Sequence, residues 1–397
     1  MFQFNEITKL SLMNFFLHLF FLSPIAVFFY QQRGLNYFQI LALESILVLF
    51  VFFFEVPTGI IADKFGRKKS IVIGTLFLAL EPLIFLFAGD FVWFAIAFAL
   101  AGIGITFHSG SIEALIYDHL KSKGREKEMK KAMGSFGSAS LVAMVVAPII
   151  GSYFAKDLLM PQFIFLILMT VGAMLVGFII SLLIKDTKEK EVEEENPISL
   201  IKDGVKLIKN NKSLIHIILL SMFASPFLFA LNYLYQPYFQ NSGVSTEVFG
   251  TIFAIALLLA ALLQKYAYKF EEKLGMKMSI FLATILPGIF YIIMAFTFHP
   301  IWAILLFVMI RATMGLQEPL FSDYKNIHIP SKSRATILSL ISMIVCLYLV
   351  GMRLIIGALA DIDLSYSFLF MGIVVIISSI LLRINETHIK IDDHSNI

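Results

Sequence analysis

Charged residues are scarce in this chain of 397 residues. Only 15% are Asp, Glu, Lys or Arg, whereas 59% are hydrophobic, so a water-soluble surface of ordinary charge density cannot be built. Lipid must therefore cover most of the surface. A bilayer-spanning helix needs about 20 mainly apolar residues, and the charged clusters divide the chain into about twelve stretches of that length.

Residues that build metal and redox sites are scarce too. The single cysteine, Cys346, excludes an intrachain disulfide and a cysteine-based metal cluster. The eight histidines show no H-E-x-x-H or comparable metal-binding spacing, and the sequence has no Walker-type glycine loop for ATP. We therefore expect no cofactor, no metal and no nucleic-acid partner, and the sequence argues against a membrane enzyme and an ATP-driven pump.

Twelve membrane-spanning helices are predicted from the apolar runs, which makes the expected fold all-α and polytopic. The first run, 10–30, is longer than the apolar region of a signal peptide and lacks a small-residue cleavage site, so we interpret it as a retained helix. The predicted spans are 9–30, 36–61, 70–88, 92–119, 131–155, 161–184, 212–240, 245–268, 278–297, 300–323, 335–357 and 364–384.

Lysine and arginine are distributed asymmetrically between alternate connections of these spans. One side carries 27 of the 31 residues when both termini are counted, the opposite side carries two, and two lie within spans. Positive residues in short loops favour the cytoplasmic side of membrane proteins. Both termini and the long central connection are therefore predicted to be cytoplasmic, in a multi-pass protein of the cell membrane.

The sequence contains two related halves. The stretch Lys64-Phe-Gly-Arg-Lys-Lys-Ser-Ile71 recurs 209 residues later as Lys273-Leu-Gly-Met-Lys-Met-Ser-Ile280, and Gly110-Ser-Ile-Glu113 recurs 205 residues later as Gly315-Leu-Gln-Glu318. Nearly equal offsets between equivalent spans indicate an internal duplication. We predict a six-helix half at 1–184, a cytoplasmic linker at 185–211, a second six-helix half at 212–384 and a cytoplasmic tail at 385–397.

The connection after the second span carries a long motif. Its residues, Gly59-Ile-Ile-Ala-Asp63-Lys-Phe-Gly66-Arg67-Lys68-Lys69, match the pattern G-x-x-x-D-x-x-G-R-R/K-x at nearly every position. The chain therefore resembles the major facilitator superfamily of secondary transporters, and the twelve spans, two repeats and long central connection extend the resemblance over essentially its whole length. The resemblance implies a fold of two pseudo-symmetric six-helix bundles.

The resemblance also implies a cytoplasmic gate, because the equivalents of Asp63 and Arg67 in the family lock the cytoplasmic side of the closed state. Gly59 is expected to permit close helix approach and Gly66 a tight turn. Asp118 is rotated away from Glu113, and we predict that it binds Arg67. The alternative is that these charges only orient the loop. The predicted gate residues are Gly59, Asp63, Gly66, Arg67, Lys68 and Asp118.

Ionisable residues within spans cost about 2.5 to 3.5 kcal/mol at mid-helix on insertion scales, so each is a functional candidate. Arg311 lies near the middle of the tenth span, and Glu318 lies within about 20° of the same helix face, about 10 Å along the axis. Local ion pairs and packing are the alternative roles. The candidate residues of the substrate or proton cavity are Glu55, Glu113, Arg311, Glu318, Asn232 and Gln236.

Alternating access driven by an ion gradient is the expected mechanism, with Glu55, Glu113 or Glu318 carrying protons. Export of small amphipathic molecules is favoured over uptake of a metabolite, because a polar sugar site would show more Asn, Gln and Trp along the spans. A non-transporting sensor with a transporter fold is the third alternative. We expect a monomer whose partners are the lipid bilayer, a small-molecule substrate and protons or another coupling ion.

Overall fold

The computed structural model describes residues 5–186, 212–224, 227–329 and 334–384, and over these ranges the chain is helical without a strand. Ten helices within these ranges are long and apolar enough to cross a membrane. The first and third predicted spans are not among the ten. The first is interrupted, and the helix that corresponds to the third predicted span, Arg67–Phe85, begins with three cationic residues.

Contacts divide the chain into two compact units. The first unit is Met1–Glu193 with Ser245–Ala254, and the second is Glu194–Val244 with Ile255–Ile397. Helices in the earlier part of the chain are α1 (Glu6–Leu17), α2 (Ala26–Gln32), α3 (Tyr37–Phe65), α4 (Arg67–Phe85), α5 (Phe91–His108), α6 (Ser111–Lys121), α7 (Met129–Phe154) and α8 (Met160–Leu182). Those that follow are α9 (Lys212–Ala224), α10 (Leu228–Asn241), α11 (Phe249–Lys265), α12 (Ala267–Phe296), α13 (Pro300–His328), α14 (Arg334–Ile362) and α15 (Leu364–Leu381).

The first predicted span is not one continuous helix. It is divided into α1 and α2 by a connection that contains a short 3-10 turn with Pro24, which has no backbone N–H for a helical hydrogen bond. The interruption is accommodated because the backbone N–H of Phe21 donates to Thr170 Oγ1 at 3.2 Å. Gly151 leaves room for the carbonyl of Phe21, which would clash with any β-carbon at that position. An irregular backbone buried within protein is tolerated at membrane depth.

Each unit has a core of its own. In the first unit, buried residues of α1, α4, α6, α7 and α8 form one hydrophobic cluster. A second group, of aromatic side chains, surrounds the fully buried Tyr30 and contains Phe29, Phe85, Phe94, Phe98 and Phe163. In the second unit, aromatic residues of α10, α12, α13 and α15 pack together: Tyr235, Tyr238, Phe239, Tyr291, Phe307 and Phe368. These clusters hold the helices that carry the candidate residues.

Candidate functional site

The two copies of the repeated loop share an unusual backbone. Gly66, between α3 and α4, has φ 98° and ψ 144°, and Gly275, inside α12, has φ 76° and ψ 155°. An L-amino acid with a side chain rarely adopts such angles, so glycine is required at both turns. The backbone therefore preserves the duplication that the sequence indicates, and Gly66 makes the predicted tight turn.

The predicted contact between Arg67 and Asp118 is present. Arg67 Nη1 forms an ion pair with Asp118 Oδ2, and the Asp118 side chain is only 3% exposed. The same nitrogen donates to the carbonyl of Ala114 at 3.2 Å. A guanidinium group suits this arrangement because its N–H groups bind a carboxylate and a neighbouring carbonyl together. The pair joins the start of α4 to α6.

The fourth predicted span, 92–119, is broken, which the sequence did not predict. It forms α5 and α6, and Gly110 between them has φ 67°. The equivalent glycine of the repeat, Gly315, stays inside the continuous helix α13, where a β-carbon would clash with the backbone of Ala260. The equivalent glycines of the two repeats therefore have different roles: Gly110 permits a turn, and Gly315 permits a close helix contact.

Side chains from α3 and α4 hold the two sides of this break. Ser70 Oγ donates to the carbonyl of Phe107 at 2.7 Å and accepts from Ser111 Oγ at 3.1 Å. Ser109 Oγ donates to Glu55 Oε1 at 2.6 Å. The carbonyl of Phe107 near the break thus has a polar partner from α4, and the candidate carboxylate Glu55 accepts a hydrogen bond from Ser109, a residue of the break.

The remaining gate candidates of the first unit lie at its surface. Asp63 is exposed and Lys68 is half-buried. A β-carbon at Gly59 would meet no atom within 4 Å in the described structure, so the close helix approach expected there is not observed. The Asp186 carboxylate lies beside Gly66, where its Oδ2 would be 2.9 Å from an added β-carbon. Asp186 is thus a neighbour of the motif that the sequence did not reveal.

The first two residues of the predicted linker are attached to the first unit. The backbone N–H of Lys185 donates to Glu6 Oε2 at 2.9 Å, and its carbonyl contacts His119 Nε2 at 2.9 Å. Lys9 Nζ donates to Glu6 Oε1 at 2.8 Å and to the carbonyl of Leu183 at 2.9 Å. The start of the linker is therefore fixed beside α1 and α6, and 187–211 lies outside the described residues.

The two carboxylates of the second repeated motif have different environments. Glu113 is exposed, in the first turn of α6 after the break. Glu318 lies in α13 and its Oε2 accepts from Gln264 Nε2 of α11 at 3.2 Å. Glu318 also lines a cavity, whereas Glu113 does not line the cavity described here. The pseudo-symmetry of the sequence therefore does not extend to these side chains.

The cavity beside Glu318 has a volume of about 350 Å³ and lies within the second unit. Its wall is mainly apolar, with hydroxyl groups, one carboxylate and one ammonium group from α9, α10, α13 and α14. Glu318 and Lys325 are seven residues apart, so both lie on nearly the same face of α13. The lining residues are Ser221, Phe229, Glu318, Phe321, Ser322, Lys325, Leu338, Val345 and Leu349.

Arg311 is buried in the second unit, at 7% exposure. Its Nη1 donates to Asn232 Oδ1, and its Cζ lies 5.8 Å from the ring centroid of Phe307. The hydroxyl groups of Tyr235 and Tyr291 are within electrostatic range. Arg311 and Asn232, two of the predicted cavity residues, are therefore in direct contact.

Gln236, another of the predicted cavity residues, lies one turn beyond Asn232 on α10. It is almost fully buried, and its Nε2 donates to the backbone carbonyl of Asn232 at 3.4 Å. Sequence reasoning missed Tyr235, although its spacing of three residues from Asn232 places it on an adjacent part of that helix face. It also missed Tyr291, and no pattern in the sequence indicates that this residue lies near Arg311.

A further cluster of ionisable residues lies in the first unit. Glu81 of α4, Glu44 of α3 and the buried Tyr30 of α2 lie within electrostatic range of one another. No group of three or more His, Cys, Asp and Glu residues that could hold a metal occurs in the described part of the chain.

Arg353 of the second unit is a second buried arginine. It is only 3% exposed and lies 5.0 Å from the ring centroid of Phe229.

Comparisons with known proteins give one consistent result. The sequence model of the Major Facilitator Superfamily matches residues 10–352. The transporter YxaM of Bacillus subtilis, described as uncharacterised and of the same type, is 24% identical over 381 residues, 93% of this chain and 94% of the relative. Multidrug resistance protein 1 of that organism is 28% identical over 314 residues, 78% of this chain and 77% of the relative. A crystal structure of a variant of the nucleoside transporter NupG aligns with a TM-score of 0.81 and 14% identity, over 97% of this chain and 100% of the neighbour.

Proposed function

Because the chain belongs to the major facilitator superfamily, we propose that it exports small amphipathic molecules across the cell membrane in exchange for protons, by alternating access. The proposed halves are 1–184 and 212–384, each with six helices, and the linker 185–211 and the tail 385–397 are cytoplasmic. The excess of Lys and Arg on one side supports this orientation. The protein works as a monomer.

The cavity of the second unit carries this proposal. Its volume of about 350 Å³ falls within the range of pockets that bind small molecules, about 300 to 1,000 Å³. Phe229, Phe321 and three aliphatic residues supply apolar surface, while Glu318 and Lys325 supply charge. A wall of this kind suits molecules that have one apolar part and one polar part. The similarity to multidrug resistance protein 1 supports export as the direction.

Glu318 is the proposed proton carrier. It lines the cavity and is bonded to Gln264 of a neighbouring helix, so a change in its charge reaches both the ligand and the packing of α11 against α13. A carboxylate that is neutral in one state and charged in the other couples proton movement to a conformational equilibrium. Glu55 and Glu113 are the other proposed carriers, and Glu55 acts through Ser109 at the break of span four.

The motif Gly59–Lys69, here the signature loop, is the proposed cytoplasmic gate. Arg67 and Asp118 form its fixed part inside the first unit. Asp63 is exposed and is therefore available to bind a second surface when the gate closes. Gly59, Gly66 and Lys68 complete the loop, with Gly66 giving it the required turn.

Growth of an efflux-deficient bacterium on a panel of toxic amphipathic compounds tests this function. The strain expresses the wild type, Asp63→Asn, Glu318→Gln or Arg311→Ala, with equal amounts in the membrane. We expect protection by the wild type and loss of protection in the three variants. The matched control is Glu126→Gln, which removes a carboxylate from an exposed turn outside the candidate sites and should protect like the wild type. Absence of protection by the wild type would contradict export and favour uptake of a metabolite.

A further inference from the structure

Four residues of α13 that line the cavity of the second unit form one stripe. Their spacing of i, i+3, i+4 and i+7 places them on the same face of the helix. In chain order they supply a carboxylate, an aromatic ring, a hydroxyl group and an ammonium group. The four residues are Glu318, Phe321, Ser322 and Lys325. The two charged residues are two turns and about 10 Å apart along the axis.

The two charges of this stripe do not form an ion pair with each other. Glu318 accepts a hydrogen bond from the neutral amide of Gln264 at 3.2 Å. Lys325 is half-buried, and its Nζ lies 5.9 Å from the ring centroid of Phe321. Within the part of the chain that the structure describes, Lys325 has no carboxylate partner. A partly buried ammonium group of this kind favours an anion in the cavity, because burial removes part of its water.

The remaining wall of the cavity is mainly apolar. Helix α14 contributes Leu338, Val345 and Leu349. These residues are separated by seven and four positions, so they share one face of α14. Phe229 of α10 adds an aromatic ring. The cavity therefore combines an apolar wall with one negative and one positive group at two different places.

We propose that the exported molecules are amphipathic zwitterions, in which an apolar body separates an amine from a carboxylate. The ammonium group of the molecule binds Glu318, its carboxylate binds Lys325, and its body packs on Phe321. This inference rests on the function proposed above and specifies its substrate class. A molecule with one charge leaves the other charge of the cavity without a partner, and a molecule whose two charges share one carbon cannot reach both.

Calorimetric titration of the purified full chain in lipid nanodiscs tests the proposal with four probes. The zwitterion is para-(aminomethyl)phenylacetate. In para-ethylphenylacetate a methyl group replaces its ammonium group, and in para-ethylbenzylamine a methyl group replaces its carboxylate. The fourth probe is phenylalanine, an isomer of the zwitterion with both charged groups on one carbon. Titration of empty nanodiscs corrects for partitioning into lipid.

The zwitterion should bind at least about tenfold more tightly than each of the other three probes, because each of them loses a hydrogen bond between charged groups. Equal binding of all four probes would overturn the proposal. Tighter binding of a probe with one charge, or of phenylalanine, would overturn it as well.

Two substitutions assign the charges of the ligand to the charges of the cavity. In Glu318→Gln the zwitterion and para-ethylphenylacetate should bind equally, because the amine has lost its partner. In Lys325→Gln the zwitterion and para-ethylbenzylamine should bind equally, because the carboxylate has lost its partner. Each comparison is made between two probes on one variant, so a general loss of folded protein does not imitate the result. A preference for the zwitterion that survives both substitutions would overturn the proposal.

Glu272→Gln and Lys273→Gln are the matched controls. They remove the same two charges from exposed positions of α12, in the same unit but outside the cavity wall. Both variants should retain the preference for the zwitterion. If they lose it as Glu318→Gln and Lys325→Gln do, the preference depends on the net charge of the unit and the proposal is wrong.

The outcomes also separate this inference from the function on which it rests. Export that protects only against compounds with one charge, and that is unchanged by Lys325→Gln, would leave the function intact and overturn the zwitterion site. Binding of the zwitterion that depends on both charges, without any protection or flux, would support the site and contradict export.

Discussion

Replacing Arg67 by alanine removes a cation that pairs with the buried carboxylate of Asp118. Breaking a buried ion pair from one side costs about 3 to 5 kcal/mol, because the remaining charge stays buried. The Arg67 side chain is 28% exposed, which reduces the attraction lost through solvent screening. We therefore expect Arg67→Ala to lower the free energy of unfolding by about 2 to 3 kcal/mol.

The reverse substitution should cost less. Asp118→Asn leaves Arg67 with its hydrogen bond to the carbonyl of Ala114 and with access to solvent. The expected loss is about 1 kcal/mol. Arg67→Lys keeps the charge but not the planar group and should fall between the two.

Thermal unfolding in one detergent, followed for both single variants and the double variant, measures this asymmetry. The double variant should be more stable than the sum of the single effects implies, because the coupling between contacting residues is lost only once. An Asp118→Asn loss equal to or greater than that of Arg67→Ala, or strictly additive effects, would refute the reasoning.

Two further predictions concern the signature loop and the break in span four. Gly66→Ala should lower stability by about 1 to 3 kcal/mol through backbone strain, and more than Gly275→Ala, because only the first places a β-carbon against Asp186; equal shifts in melting temperature would contradict this. Ser109→Ala should lower stability by about 1 kcal/mol by removing the donor to Glu55, whereas Glu55→Gln keeps an acceptor and should lower it less; the same thermal assay decides, and the opposite order would refute the assigned hydrogen bond.

Local backbone chemistry explains what the sequence predicted well. Gly66 in the motif and Gly275 in its repeat both have a positive φ, which glycine alone adopts freely. The sequence therefore has glycine at both positions where the backbone requires it. The contact between Arg67 and Asp118 was predicted because Asp118 is rotated away from Glu113 and Arg67 belongs to the motif on the same predicted cytoplasmic side. The long apolar runs likewise predicted most of the helices, because each run must satisfy its own backbone hydrogen bonds in lipid.

Tertiary contacts decide what the sequence did not reveal. Gly110 and Gly315 occupy equivalent places in the repeat, yet one ends a helix and the other packs against Ala260. The difference depends on neighbours from other helices, such as Ser70 beside the break, and these are distant along the chain. The approach of Tyr291 to Arg311 is of the same kind, since α12 and α13 are brought together only by packing.

Flux into proteoliposomes with an acidic lumen tests the central claim most directly. Inward movement of an amphipathic compound against which the wild type protects, against its concentration gradient and abolished by a protonophore and by Glu318→Gln, is the result that proton-coupled export predicts. Correctly incorporated wild-type protein that produces no flux, or only an equilibration indifferent to the proton gradient, would contradict it.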